Sequence, residues 1–216
     1  MGKFRAIIFD IDATICDNTE RKRRAIELTL NIAVPEELYS RIKKKGFPHI
    51  IKALGFEPNN ELVKKVERCF LENEELYVLD RPIEGAVETL NALASIYRVG
   101  YVTGRPKEQL ALDFLKRYGF PIGPVMARRI GSGEGMKKVE MFKEMLKRLG
   151  VEPSEAVSVG DMPEDGLASR AAGVLSVGVA EFSTVDVDLM RNNFDHIIER
   201  ITDLPKLLAD LEGGYI

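Results

Sequence analysis

The chain has 216 residues, 30 % of them charged and 45 % hydrophobic, a balance that suits one sizeable core plus a smaller inserted module. With 31 Lys and Arg against 34 Asp and Glu the net charge is −3, which excludes a generally basic protein that coats nucleic acid. No apolar run approaches the roughly 20 residues of a membrane span, and the acid straight after Phe9 is foreign to a signal peptide.

From the N-terminus, Phe4–Phe9 is a short, nearly continuous apolar run, the pattern of a strand buried on both faces. The stretch 17–80 holds no convincing strand. Ala25, Ile26, Thr29, Leu30 and Ala33 line one helical face in it, and Leu62, Val63, Val66, Cys69, Phe70, Leu76 and Tyr77 line a longer one. Beyond Arg81-Pro82, helical spacing (Ala86, Val87, Leu90, Leu93, Ala94) gives way to a strand at Val99–Val102. Helical spacing returns at Leu110, Phe114 and Leu115, and at Phe142, Met145, Leu146 and Leu149, with Gly150 placed to end the second helix. Further strands are expected at Ala156–Val159, Val174–Val179 and, more weakly, His196–Ile198. Strands alternating with helices predict an α/β fold: a Rossmann-like, doubly wound parallel sheet of residues 1–16 and 81–216, interrupted by an all-helical domain at 17–80.

Four polar clusters fall at strand ends or helix starts, where doubly wound sheets bind ligands. They are Asp10-Ile11-Asp12-Ala13-Thr14, Thr103-Gly104-Arg105-Pro106, Lys137-Lys138, and Gly160-Asp161-Met162-Pro163-Glu164-Asp165. Each alone is an ordinary turn, cap or solvated pair. Together, leaving one edge of one sheet, they make an all-oxygen carboxylate site, which suits Mg²⁺ rather than Zn²⁺, with a lysine to help neutralise an incoming phosphate. Asp10 can attack phosphorus, and Asp12 can protonate the leaving oxygen and then deprotonate water. Thr103 and the Gly104 N–H can hold phosphate oxygens. Lys138 shares a helical face with Phe142 and Met145 and is preferred over Lys137 as the inward lysine.

In these motifs and their order the sequence resembles the haloacid dehalogenase-like hydrolases, subclass I with a helical cap, phosphoglycolate-phosphatase-like. The resemblance implies Asp10 as nucleophile and Asp12 as acid/base. It implies Mg²⁺ held by Asp10, the Asp12 carbonyl and Asp161, with Asp165 adjacent. The family usually has Gly where Ala13 stands, so the turn after Asp12 must accept a Cβ. Residues 17–80 become the cap. Its first part, 17–52, carries nine basic residues against five acids, and its second part, 53–80, three against seven. The basic part is expected to help receive an anionic ester. Lys45-Gly46-Phe47-Pro48-His49 reads as a helix-breaking specificity loop, making His49, like Arg105, a candidate substrate contact.

The expected activity is Mg²⁺-dependent hydrolysis of a small phosphorylated metabolite through an aspartyl-phosphate, by a monomer or homodimer with no nucleic-acid or membrane partner. A haloacid dehalogenase would not need Asp12. A phosphonatase would want a Schiff-base lysine in the cap, and a phosphosugar mutase differs only in its acceptor. A non-catalytic phospho-acceptor would lack the long insert. Gly131-Ser132-Gly133-Glu134-Gly135 lacks the Gly-Lys-Ser/Thr of a P-loop and reads as a mobile loop. Asp10 to Thr14 lacks the later Gly and Glu of an EF-hand. Cys16 and Cys69 cannot form a disulfide framework, so a cytoplasmic setting is expected, and a single Gln, many Glu and Lys and no Trp hint at a thermophilic source.

Overall fold

The computed structural model describes residues 3–128 and 137–213; the Gly131–Gly135 segment lies outside them. In chain order the elements are β1 (Ala6–Phe9), β2 (Cys16–Asp17), α1 (Thr19–Leu30), α2 (Glu36–Ile42), α3 (Phe47–Ala53), α4 (Asn60–Glu72) and β3 (Arg81–Pro82). There follow α5 (Ala86–Ala94), β4 (Arg98–Thr103), α6 (Glu108–Tyr118), β5 (Val125–Ala127), α7 (Lys138–Leu149) and β6 (Ala156–Gly160). The chain closes with α8 (Pro163–Ala171), β7 (Leu175–Val179), α9 (Val187–Asn193), β8 (His196–Ile198) and α10 (Leu204–Leu211). It divides into two compact units, residues 17–81 and the remainder.

The larger unit is built on a six-stranded parallel sheet in the order β5-β4-β1-β6-β7-β8. The α/β reading holds, and the apolar runs are strands because both faces of the sheet are covered. Period-two alternation sorts β1 between those faces. Ile7 and Phe9 join Leu90, Phe114, Leu115, Leu204 and Leu208 in one core. Ala6 and Ile8 join Met141, Phe142, Met145 and Leu146 of α7 in the other. Glu212, just past α10, accepts from the Phe4 N–H at 2.8 Å and from the Tyr97 hydroxyl at 3.0 Å, tying the chain's end to the entrance of β1. The strand β5 has no counterpart in the sequence reading. It is three residues long, sits at the sheet's edge and follows Pro121, Gly123 and Pro124.

The smaller unit is helical and has its own core of Ile26, Val34, Tyr39, Ile50, Ile51 and Val66. Its most unusual feature is Arg21, fully buried between the rings of Phe70 and Tyr77, 4.3 and 4.0 Å from their centroids, with Nε 3.0 Å from the equally buried Asp80. Lys22 is also buried and donates to the Lys43 carbonyl, while Arg23 pairs with Glu27 and Glu36. Of the nine bases in 17–52, the part expected to help receive an anionic ester, Arg21, Lys22 and Arg23 are therefore engaged inside this unit. The expected loop at Lys45–His49 is corrected too: Phe47, Pro48 and His49 form the first turn of α3, where proline's missing N–H has no helical partner to lose.

Candidate active site

The site is assembled at the carboxyl ends of β1, β4 and β6. The ladder continues one residue past β1, since the Asp10 N–H donates to the Val159 carbonyl at 2.8 Å. By the same alternation that places Ala6 and Ile8, Asp10 falls on the α7 face, and Lys138 is the first residue of α7. After Asp10 the chain turns back tightly: the Ile11 carbonyl accepts from the N–H groups of Thr14, Ile15 and Cys16. That turn puts Ala13 at φ 62°, a left-handed conformation that a glycine would adopt without a Cβ penalty.

Asp10, Asp161 and Asp165 are all buried, and one carboxylate oxygen from each lies within 4.8 Å of the others. Lys138 forms an ion pair with Asp165 and stands 3.9 Å from Asp10. Lys137 instead caps α7 from an exposed position. Gly160 is required by close approach: a Cβ there would lie 2.5 Å from Asp165 Cγ. Asp165 in turn accepts from the Met162 N–H at 3.0 Å, fixing the first turn of α8.

The electrostatics follow from three acids around one ammonium. Burial pushes the Asp10 carboxyl well above the ordinary range; Lys138 opposes the shift and the Asp165 and Asp12 charges add to it. Burial also raises Asp161, reinforced by Asp10 and Asp165. For Lys138 burial works the other way, but Asp165 and Asp10 more than offset it, so the ammonium is held above its usual range. Such a surplus of oxygen-borne negative charge suits a hard divalent cation.

Asp12 is turned away from this cluster. Its carboxylate receives two hydrogen bonds from the fully buried Arg105 at 3.0 and 3.1 Å. Arg105 was expected to touch substrate; with no exposed surface and its guanidinium on Asp12, it does not present itself to a ligand. Thr103 is buried, and its Oγ1 accepts from the Arg105 backbone N–H at 3.3 Å, which leaves its own proton to donate. A Cβ on Gly104 would meet nothing within 4 Å, so space opens at its backbone. A cavity of about 540 Å³ runs beside Thr103, Gly104 and Lys138, lined also by Arg128, Glu164 and Leu167. The sequence reading missed Arg128, whose only signal is its place just past β5, itself undetected. His49 belongs to the helical unit and is exposed there.

The sequence profile of the haloacid dehalogenase-like hydrolases matches residues 4–173. The chain belongs to that family. A glyceraldehyde 3-phosphate phosphatase of Pyrococcus furiosus is 28 % identical over 98 % of this chain and 95 % of its own. A phosphoglycolate phosphatase of Aquifex aeolicus is also 28 % identical, over 94 % and 96 %. Among solved structures, a hydrolase of the same family from Deinococcus radiodurans with bound phosphate and sodium superposes with a TM-score of 0.71. It is 19 % identical, and 97 % of each chain is covered. This member of the family is an enzyme, and the relatives it falls among are phosphatases. Among the described residues no helix is long and apolar enough to cross a membrane.

Proposed function

We propose that this enzyme hydrolyses a small phosphate monoester with Asp10 as nucleophile and Asp12 as general acid and base. The observation that carries the reading is the division of labour at the end of β1: Asp10 lies within a cluster of acids beside Lys138, while Asp12, two residues on, is held apart on Arg105. Asp10, Asp161 and the Asp12 carbonyl would hold Mg²⁺, with Asp165 beside it. When bound, the cation supplies Lewis-acid polarisation of the phosphate and relieves the repulsion between nucleophile and substrate.

The chain's own groups do the rest. Thr103 and the Gly104 N–H orient the phosphate oxygens, and Lys138 offsets their charge. The Asp10 oxygen bonds to phosphorus as the ester P–O bond breaks, and the leaving oxygen takes its proton from Asp12. A water then attacks the aspartyl-phosphate, gives its proton to Asp12, and restores Asp10 with release of phosphate. Three-carbon and two-carbon phosphates, the substrates in the names of the relatives above, are the first compounds to test. The helical unit, 17–81, is read as the module that selects among them, and His49 as one of its contacts. Two free cysteines, one of them buried, fit a cytoplasmic enzyme.

Hydrolysis of p-nitrophenyl phosphate should need Mg²⁺ and fall by roughly 10³-fold or more in Asp10→Asn, the loss expected of a covalent nucleophile. Independently of turnover, Mg²⁺ should raise the Tm of the native enzyme. Turnover that is insensitive to EDTA, or that survives in Asp10→Asn, refutes the mechanism.

A further inference from the structure

Arg105 is a guanidinium with no exposed surface, packed among polar and aromatic groups. Its Nε and Nη2 donate to the two oxygens of Asp12, its Nη1 donates to the Leu110 carbonyl at 2.9 Å, and Cys16 Sγ lies 3.4 Å from Nη2. The Phe114 ring lies 5.0 Å from the guanidinium carbon. Two parallel bonds from a planar fork fix both the position and the plane of a carboxylate, which a lysine's single ammonium cannot do. The burial is one-sided. Arg105 is sealed in, whereas the Asp12 side chain keeps 22 % of its surface. The clamp therefore holds both carboxylate oxygens of a side chain that still reaches solvent.

We infer that Arg105 is a positioning residue that holds the partly exposed Asp12 carboxyl at one fixed orientation for proton transfer. This rests on the reading of Asp12 as acid and base. The two chemical steps then depend on Arg105 differently according to the leaving group. An alkoxide must be protonated as its P–O bond breaks, so with an alkyl phosphate both steps need an oriented Asp12. p-Nitrophenolate departs as a stable anion, so with p-nitrophenyl phosphate only the second step does, in which water gives up its proton.

The test is rapid-mixing kinetics of Arg105→Met. With p-nitrophenyl phosphate it should release a burst of one equivalent of p-nitrophenol, then turn over roughly 10²-fold more slowly than the native enzyme, with KM lowered alongside kcat so that kcat/KM changes little. With glycerol 3-phosphate it should slow at least as much, without a burst of glycerol. Arg105→Lys should recover part of the loss, and Arg105→Met with Asp12→Asn should be no slower than Asp12→Asn alone. Should the Met variant fail to fold, the burst in Arg105→Lys carries the test. Loss of the burst, or additive losses in the double variant beside a slow Asp12→Asn, overturns the role of Arg105 alone. Normal turnover of Asp12→Asn overturns the reading of Asp12 and this inference with it.

Discussion

The two units each bury ionised side chains, and they do so on opposite terms. In the helical unit the fully buried Arg21 meets the equally buried Asp80, and two aromatic faces lie against the cation. At the sheet's edge Asp10, Asp161 and Asp165 share Lys138, and the charge does not balance within the cluster. A matched buried pair is a structural solution, expensive to break from one side. An unmatched cluster stores repulsion that only a ligand of opposite charge can relieve, which makes it a place for chemistry. The contrast separates charge that holds a fold from charge that waits for a partner.

Thinning the unmatched cluster should give the largest effect. Asp161→Asn is expected to lower turnover by roughly two orders of magnitude or more, because a proposed cation ligand is lost. Its Tm without divalent cation should equal or exceed that of the native protein, because repulsion with Asp10 goes as well. Activity assays beside thermal melts with and without Mg²⁺ check both halves. Breaking the matched pair should do the reverse. Asp80→Ala leaves Arg21 buried without its carboxylate and should cost about 3–5 kcal/mol in urea unfolding. Arg21→Met combined with Asp80→Leu should recover most of that loss, since a well-packed apolar pair can replace a buried ionic one.

The sheet-edge acids also set a pH dependence. The folded pKa values of Asp10 and Asp161 are raised, so their contribution to stability is complete below the ordinary carboxylate range. It is lost as pH rises through their raised values, because the folded state then gives up protons it was holding. In EDTA the Tm should therefore fall as pH rises from about 4, and saturating Mg²⁺ should flatten the slope. A slope unaffected by Mg²⁺ would show that the cation does not relieve this cluster. The smallest effect belongs to the turn between the two aspartates. Ala13→Gly should stabilise by about 0.5–1 kcal/mol, since the left-handed backbone penalty at φ 62° outweighs glycine's added freedom in the unfolded chain. Thermal unfolding would read this as a rise of a few degrees or less.

The same contrast explains what could be read before the structure. The parallel sheet was legible because strands buried on both faces are continuous apolar runs, and β5 was not, because three residues between prolines and an edge carry no such run. Lys138 could be separated from Lys137 because helical phase is a local property, and the structure places Lys138 on Asp10 and Asp165. Arg105 could not be read correctly. What buries it is Asp12, far away in sequence, and Phe114, whose apolar spacing only announces a helix. Arg21 was hidden for a like reason: within a run of four bases nothing local distinguishes the one that will lie between two rings. Pro48 looked like a helix breaker because composition does not reveal whether a proline falls inside a helix or in its first turn.

The central position of β1 has a consequence for synthesis. The strand bearing Asp10 pairs with residues 98–101 on one side and 156–159 on the other, and its entrance is held by Glu212. Asp10 therefore leaves the ribosome long before the segment that carries Asp161. At roughly 5–20 residues per second, the interval is on the order of eight to thirty seconds. Until residues 98–101 emerge, Phe4–Phe9 is an apolar segment with no neighbouring strand to pair with, and its second neighbour comes only with 156–159. Among the described strands β1 comes first in the chain yet is among the last to gain both neighbours, so no nascent fragment that stops short of Asp161 can carry the assembled site.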